Sequence, residues 1–211
     1  MTTATKKKHA MAFFDGQNLF QHAKDAFGHH HPNYDPIKLH NAVCAQQGWV
    51  PNLTRFYTGV PSHEQSAMWA AYWAKRIMFM KTAGINVTHR KLRYHRESSF
   101  DASGSPCTVV TAHEKGIDVR LALDIVATAR RSEWDVAIIF SQDQDLAEVA
   151  SEVRAIANEQ GRSVEICCAY PDGPSATSRR GIDNTQWIKM DQAFYDACLD
   201  PTDYRPPKKL V

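Results

Sequence analysis

Residues 10–14 and 136–140 are apolar at every position, and residues 164–170 are broken only by Glu165. A strand can be apolar on both of its faces only if both are buried. This is the condition of strands in a parallel sheet covered by helices on its two sides. Further strands are expected at 53–57 and 85–94, with 107–112 returning on the latter as a hairpin arm. Helical spacing marks 19–27, 36–47 with Pro36 at its start, 62–83 with Ser62 as its cap, 117–131, 146–160 and a closing helix over 190–199. Trp69, Tyr72, Trp73, Arg76 and Met80 recur on one helical stripe, the pattern of a core face. Strands alternating with helices give an α/β fold: a three-layer α/β/α sandwich with a mostly parallel central sheet and right-handed crossovers.

The length suits one domain, taken as residues 10–200, with a basic disordered arm at 1–9 and a tail at 201–211. A formal charge of +2 leaves no general basic coat, so any affinity for nucleic acid must be local. Five cysteines, an odd number without a C-x-x-C pair, suggest neither a disulfide framework nor a zinc site, and they fit the cytoplasm. No apolar stretch is long enough to span a membrane. A homodimer is left open.

The chemistry of the chain lies in its acids. Asp15, Asp143 and Asp145 directly follow apolar strands, and Asp118 opens a helix. Ligands of open parallel sheets bind beyond the carboxyl ends of the strands. If the strands at 10–14 and 136–140 are neighbours, their carboxylates meet in one cleft. Crowded carboxylates raise one another's pKa unless a cation intervenes, and hard oxygen donors suit Mg²⁺ or Mn²⁺. Each acid also has a plain reading: a turn former, a helix cap, or a first-turn acid facing the helix dipole.

Three blocks in order resemble the NYN family, including its LabA-like bacterial members. They are Phe13-Phe14-Asp15-Gly16-Gln17-Asn18-Leu19, Lys115-Gly116-Ile117-Asp118-Val119-Arg120-Leu121-Ala122-Leu123-Asp124, and the stretch from Asp135 through Ser141-Gln142-Asp143-Gln144-Asp145 to Leu146. The resemblance covers roughly residues 10–170 and implies a PIN-like nuclease fold, an acidic Mg²⁺ or Mn²⁺ site and endoribonuclease activity on single-stranded or structured RNA. It implies that Asp15, Asp118, Asp143 and Asp145 are metal-binding and catalytic, and that Asn18 and Ser141 beside them bind substrate. Asp124 matches a further recurrent acid. Six residues beyond Asp118 it lies about 240° around the helix, so it faces elsewhere and suits a brace as well as a ligand. Gln142 replaces the family's usual Gly, and Gln17 stands where an acid is frequent. Gln142 is expected either to stiffen its loop or to narrow access.

For RNA, Lys115 is a candidate phosphate contact. Arg90, Lys91 and Arg93, in a basic run with Tyr94, are candidates to track a nucleic-acid backbone. The competing reading is a catalytically weak RNA-binding module of the same fold. A dehalogenase-type phosphatase would need an acid at Gln17, and a dinucleotide fold would need further glycines after Gly16.

Overall fold

The computed structural model describes residues 7–100 and 104–207. Six parallel strands form one sheet: β1 (His9–Asp15), β2 (Val50–Val60), β3 (Asn86–Lys91), β6 (Val136–Phe140), β7 (Glu165–Pro171) and β8 (Gln186–Met190). Their order is β3-β2-β1-β6-β7-β8. Between β3 and β6 come an antiparallel pair, β4 (Arg93–Phe100) and β5 (Pro106–His113), and helix α4 (Ile117–Arg130).

Alternate residues of β1 divide the core in two, as the two-residue period of a strand requires. Ala10, Ala12 and Phe14 face α1 (Gly16–Phe27), α2 (Pro36–Gln47), α3 (Ala67–Thr82) and Tyr195 of the short α6 (Gln192–Asp196). Met11 and Phe13 face α4 and α5 (Ala147–Glu159). Both faces of the central strands are therefore dry, and the three-layer α/β/α sandwich with its hairpin arm is the architecture. Among the described residues no helix is long and apolar enough to cross a membrane.

Four elements depart from the sequence expectation. Helix α3 begins at Ala67, not at Ser62: the Ser62 carbonyl accepts from the Ser66 amide at 3.0 Å in a turn that precedes the helix. The strand expected over 85–94 is broken at Leu92, whose amide reaches the Val60 carbonyl at 3.0 Å before the chain leaves the sheet for the hairpin. Strand β8 was not expected, because at the sheet edge only Ile188 and Met190 of its five residues are buried. That strand takes the start of the helix expected over 190–199, leaving α6 only one turn long. Of the arm expected at 1–9, residues 1–6 lie outside the described residues, and His9 already belongs to β1. The turn expected near 100–106 includes residues 101–103, also outside them. In the stretch set apart as a tail, Tyr204 is buried against Tyr72 and Phe79; residues 208–211 lie outside the description.

Two buried polar groups lock the layers together. Arg76 of α3 is 1% exposed and donates to the Tyr34 carbonyl at 2.6 Å and the Tyr72 hydroxyl at 2.9 Å, among the rings of Tyr34, Tyr72 and Trp73. His40 of α2 bonds Thr54 and the Ala10 carbonyl, and burial pushes its imidazole down to about 4.

Candidate active site

Strands β1 and β6 pair in the register Phe14↔Phe140, and the two rings stack 3.9 Å apart. The next residues, Asp15 and Ser141, therefore emerge side by side. At this point the sheet changes direction, with β2 and β3 to one side of β1 and β6 to β8 to the other. A crevice opens at such a switch point because the connections on either side diverge.

Hydrogen bonds fix the acids there. One Asp15 oxygen accepts from the Asn18 amide at 3.1 Å as the N-cap of α1, and the other accepts from the Ser141 hydroxyl at 3.2 Å. The Ser141 oxygen in turn accepts from the Asp143 amide at 3.1 Å, and Asp143 accepts from the Asp145 amide at 3.0 Å. Asn18 bridges the two strand ends, its side-chain oxygen taking the Gln142 amide at 2.8 Å.

A cavity of about 580 Å³ lies over this junction. Asp15, Asp118, Asp143 and Asn18 line it, and so does Glu114, which the sequence reading passed over. The Glu114 carboxylate accepts from the Gly59 amide at 3.1 Å. A side chain at Gly59 would place its Cβ 2.5 Å from Leu92 and 2.8 Å from that carboxylate, so the close approach of β2 requires glycine. Gly116, at φ 77°, gives the left-handed turn from which α4 starts, with Asp118 in its first turn. A sign of Glu114 was present in Glu114-Lys115-Gly116, one turn before Asp118.

The acids share one electrostatic environment. Asp15 is pushed up to about 6, chiefly by burial. The Asn18 amide and the Ser141 hydroxyl oppose this, and the charge of Asp143 adds to it. Glu114 is pushed up to about 7 by burial and by the charges of Asp15 and Asp118, against the Gly59 amide. The donor set is all oxygen, anionic and mutually repelling, which fits a hard divalent cation. Among the described residues no three Asp, Glu, His or Cys side chains stand close enough together to cage an ion. A Mg²⁺ or Mn²⁺ ion here would be held by at most one or two of these carboxylates, with water completing its shell.

The remaining expected site residues lie off the cavity wall. Ser141 is 1% exposed, and its hydroxyl donates to Asp15 and accepts from the Asp143 amide, so it links the two acid-bearing strand ends. Asp145 is exposed in the single 3-10 turn before α5 and does not line the cavity. Lys115 is exposed beside Glu114, its carbonyl 3.4 Å from the Arg90 guanidinium. Arg90, Lys91 and Arg93 are exposed around Leu92, the one residue of that run that lines the cavity. Asp124 is buried, taking bonds from Tyr57 at 2.8 Å and Arg120 at 2.5 Å with Arg55 at 3.5 Å, an arrangement that braces α4 against β2. Gln142 does not narrow the cavity. Its amide donates to the carbonyls of Ser178 and Arg180, and Gln144 similarly holds Gly181, so this loop is stiffened from behind.

The NYN domain family model matches residues 9–189, a span that contains every cavity acid. A protein of unknown function from Vibrio parahaemolyticus has a solved structure that is similar at a TM-score of 0.54 and 16% identity, over 92% of this chain and 99% of that one, a likeness of fold alone. Giardia lamblia ribokinase (TM-score 0.35, 11% identity, 62% of this chain and 37% of that one) and Acinetobacter baumannii MurG (0.33, 11%, 87% and 45%) are too distant in shape to carry an argument. No curated protein matches the chain.

Proposed function

This chain belongs to the NYN domain family, and from that premise we propose that it is a metal-dependent endoribonuclease hydrolysing phosphodiester bonds of RNA at the cavity over β1 and β6. One observation carries the reading: Asp15, Glu114, Asp118 and Asp143, distant in sequence, line a single crevice at the switch point of the sheet. A phosphate approaching four carboxylates is repelled unless a cation stands between them. A bound Mg²⁺ or Mn²⁺ supplies that charge, polarises the phosphate and lowers the pKa of water.

The chain's own groups do the rest. Asp15 and Asp143 are held in fixed orientation by the Asn18 amide, the Ser141 hydroxyl and the Asp145 amide, so no reorganisation is needed to present their charge. Glu114, its carboxylate fixed on the cavity lining by the Gly59 amide, is the group available for proton transfer. In hydrolysis the water oxygen bonds to phosphorus, the bond to the leaving ribose oxygen breaks, the water loses a proton and the leaving oxygen gains one. Glu114 is placed to take the first proton. Asp145, on the adjoining turn, acts through water if it takes part. Lys115, Arg90, Lys91 and Arg93 supply local positive charge for the strand outside the cavity.

The second reading, an RNA-binding module without turnover, is favoured by the spread of the acids, no three of which cage an ion among the described residues. One assay separates the two. Labelled single-stranded RNA and DNA are incubated with the protein in Mg²⁺, Mn²⁺ or EDTA. RNA should be cut internally with either ion and not in EDTA. Asp15→Asn and Asp143→Asn should lower the rate at least about 100-fold, roughly 2.7 kcal/mol of barrier. Cleavage that persists in EDTA, or full activity in both variants, refutes the site. RNA binding without cleavage in either ion selects the second reading.

A further inference from the structure

The cavity has two unlike sets of lining residues, and only the acidic set is used by the chemistry above. Besides the acids it is lined by Trp69 and Trp73 of α3, Phe20 of α1, Pro61 and Leu92. Trp73 is buried and packs on Phe56, which leaves little of its ring open to a ligand. Trp69 is only partly buried, with its ring edge-on to Tyr72 at 5.2 Å between centroids. An indole left partly open inside an acidic crevice keeps apolar area in water that a flat apolar ligand can cover.

The ligand must combine two properties. It must carry a phosphate, because the acids need one when a cation is bound, and it must offer an aromatic face within a nucleotide's reach of that phosphate. We propose that the Trp69 wall is a nucleobase subsite, in which the base of an unpaired nucleotide next to the scissile phosphate stacks on the indole. This rests on the nuclease reading of the acids and adds to it a substrate class: unpaired nucleotides, with duplex excluded. A base inside a helix is stacked on both neighbours and cannot enter a crevice of about 580 Å³ without being turned out of the stack. Stacking tolerates any base, so the wall selects for lack of pairing more than for sequence. Gln17 also lines the crevice, one residue from Gly16 at the helix start, and offers an amide to a base edge where an acid would repel the nucleotide.

The test reads the base directly. Short single-stranded RNAs carrying 2-aminopurine at successive positions are titrated into the full chain bearing Asp15→Asn, in Mg²⁺, so that cleavage does not interfere. At one position the fluorescence should be quenched on binding. An abasic site there, or Trp69→Ala in the protein, should weaken binding roughly 10- to 100-fold. Trp69→Phe should keep most of the affinity, and the same RNA annealed to its complement should bind at least about 10-fold more weakly. The abasic arm needs no second change in the protein, so a Trp69→Ala chain that misfolds does not weaken the test. Binding with no quenched position, or equal affinity for the intact and abasic strands, overturns the subsite. If the unsubstituted protein still cuts RNA in that case, the nuclease reading stands without it. Quenching and abasic loss without any cleavage by the unsubstituted protein would keep the subsite and remove the nuclease.

Discussion

Replacing Asp15 by Asn should stabilise the metal-free fold, and by an amount that depends on pH. The carboxyl is pushed up to about 6, mainly because it is partly buried at the strand junction and next to Asp143. A carboxyl whose folded pKa exceeds its unfolded value binds its proton more tightly in the native state. The penalty for ionising it is therefore fully present above about pH 6. It is relieved as pH falls through 6 towards the ordinary carboxylate range. At about 1.4 kcal/mol per pH unit, the penalty at pH 8 is on the order of 3 kcal/mol. Asparagine resembles the protonated acid and can still accept from the Asn18 amide, so the variant escapes the penalty and keeps the cap. For a chain of this size that is roughly 6–12 °C in Tm. The comparison must be made against the parent at each pH, because His40, pushed down to about 4, moves stability the other way between about pH 4 and 6.5. Urea melts in EDTA at pH 4.5, 6 and 8 should show the advantage growing with pH. Saturating Mn²⁺ should shrink it, since an ion bound to the parent's carboxylates stabilises only the parent. A variant equal to or weaker than the parent at pH 8 in EDTA would falsify the reading of Asp15 as a strained anion.

Three further outcomes follow from named contacts. Glu114→Gln should lower turnover and flatten the acidic limb of the pH–rate profile that ionisation of Glu114 gives the metal-loaded parent; an unchanged profile would take Glu114 out of proton transfer. Asp124→Asn leaves the largely buried Arg55 and the half-exposed Arg120 without their carboxylate and should cost about 1–3 kcal/mol of stability, with RNA affinity of the remaining folded protein unchanged; a melting temperature that holds while activity disappears would make Asp124 a ligand. Changing Arg90, Lys91 and Arg93 together to Ala should weaken RNA binding and flatten its dependence on salt, by up to about 0.7 per lost phosphate contact on a log–log plot for a single strand; an unaltered slope moves the binding surface elsewhere.

The strands of the interior were legible because burial on two faces leaves a mark that burial on one does not. Residues 10–14 and 136–140 are uniformly apolar, and both lie in the middle of the sheet. Strand β8 sits at the edge, where Gln186, Trp187 and Lys189 meet solvent and only Ile188 and Met190 signal a strand. The break at Leu92 was hidden for a different reason. Both its neighbours are strand residues, and the change from sheet to hairpin is made by one backbone amide turning to Val60. The start of α3 was misplaced because Ser62 resembles a cap in sequence but closes a turn four residues earlier.

At the site, position along a strand carried the information and residue type alone did not. Asp15 and Asp143 could be placed together because each follows an apolar run, and parallel neighbours end on the same side of a sheet. Asp145 is two residues from Asp143, but a 3-10 turn carries it outward, a rotation that spacing does not reveal. Glu114 follows an exposed hairpin strand whose direction is not fixed by the sheet, so its place one turn before Asp118 hinted at a role but not at its return to β2. What brings it there is Gly59, whose missing side chain makes room for its carboxylate 55 residues away. The plain and functional readings of Asp15 also prove compatible. The amide that it caps is among the contacts that hold its charge in place, so the helix start and the chemistry depend on the same oxygen pair. A substitution that preserves the cap while removing the charge is therefore the one that can tell the two roles apart.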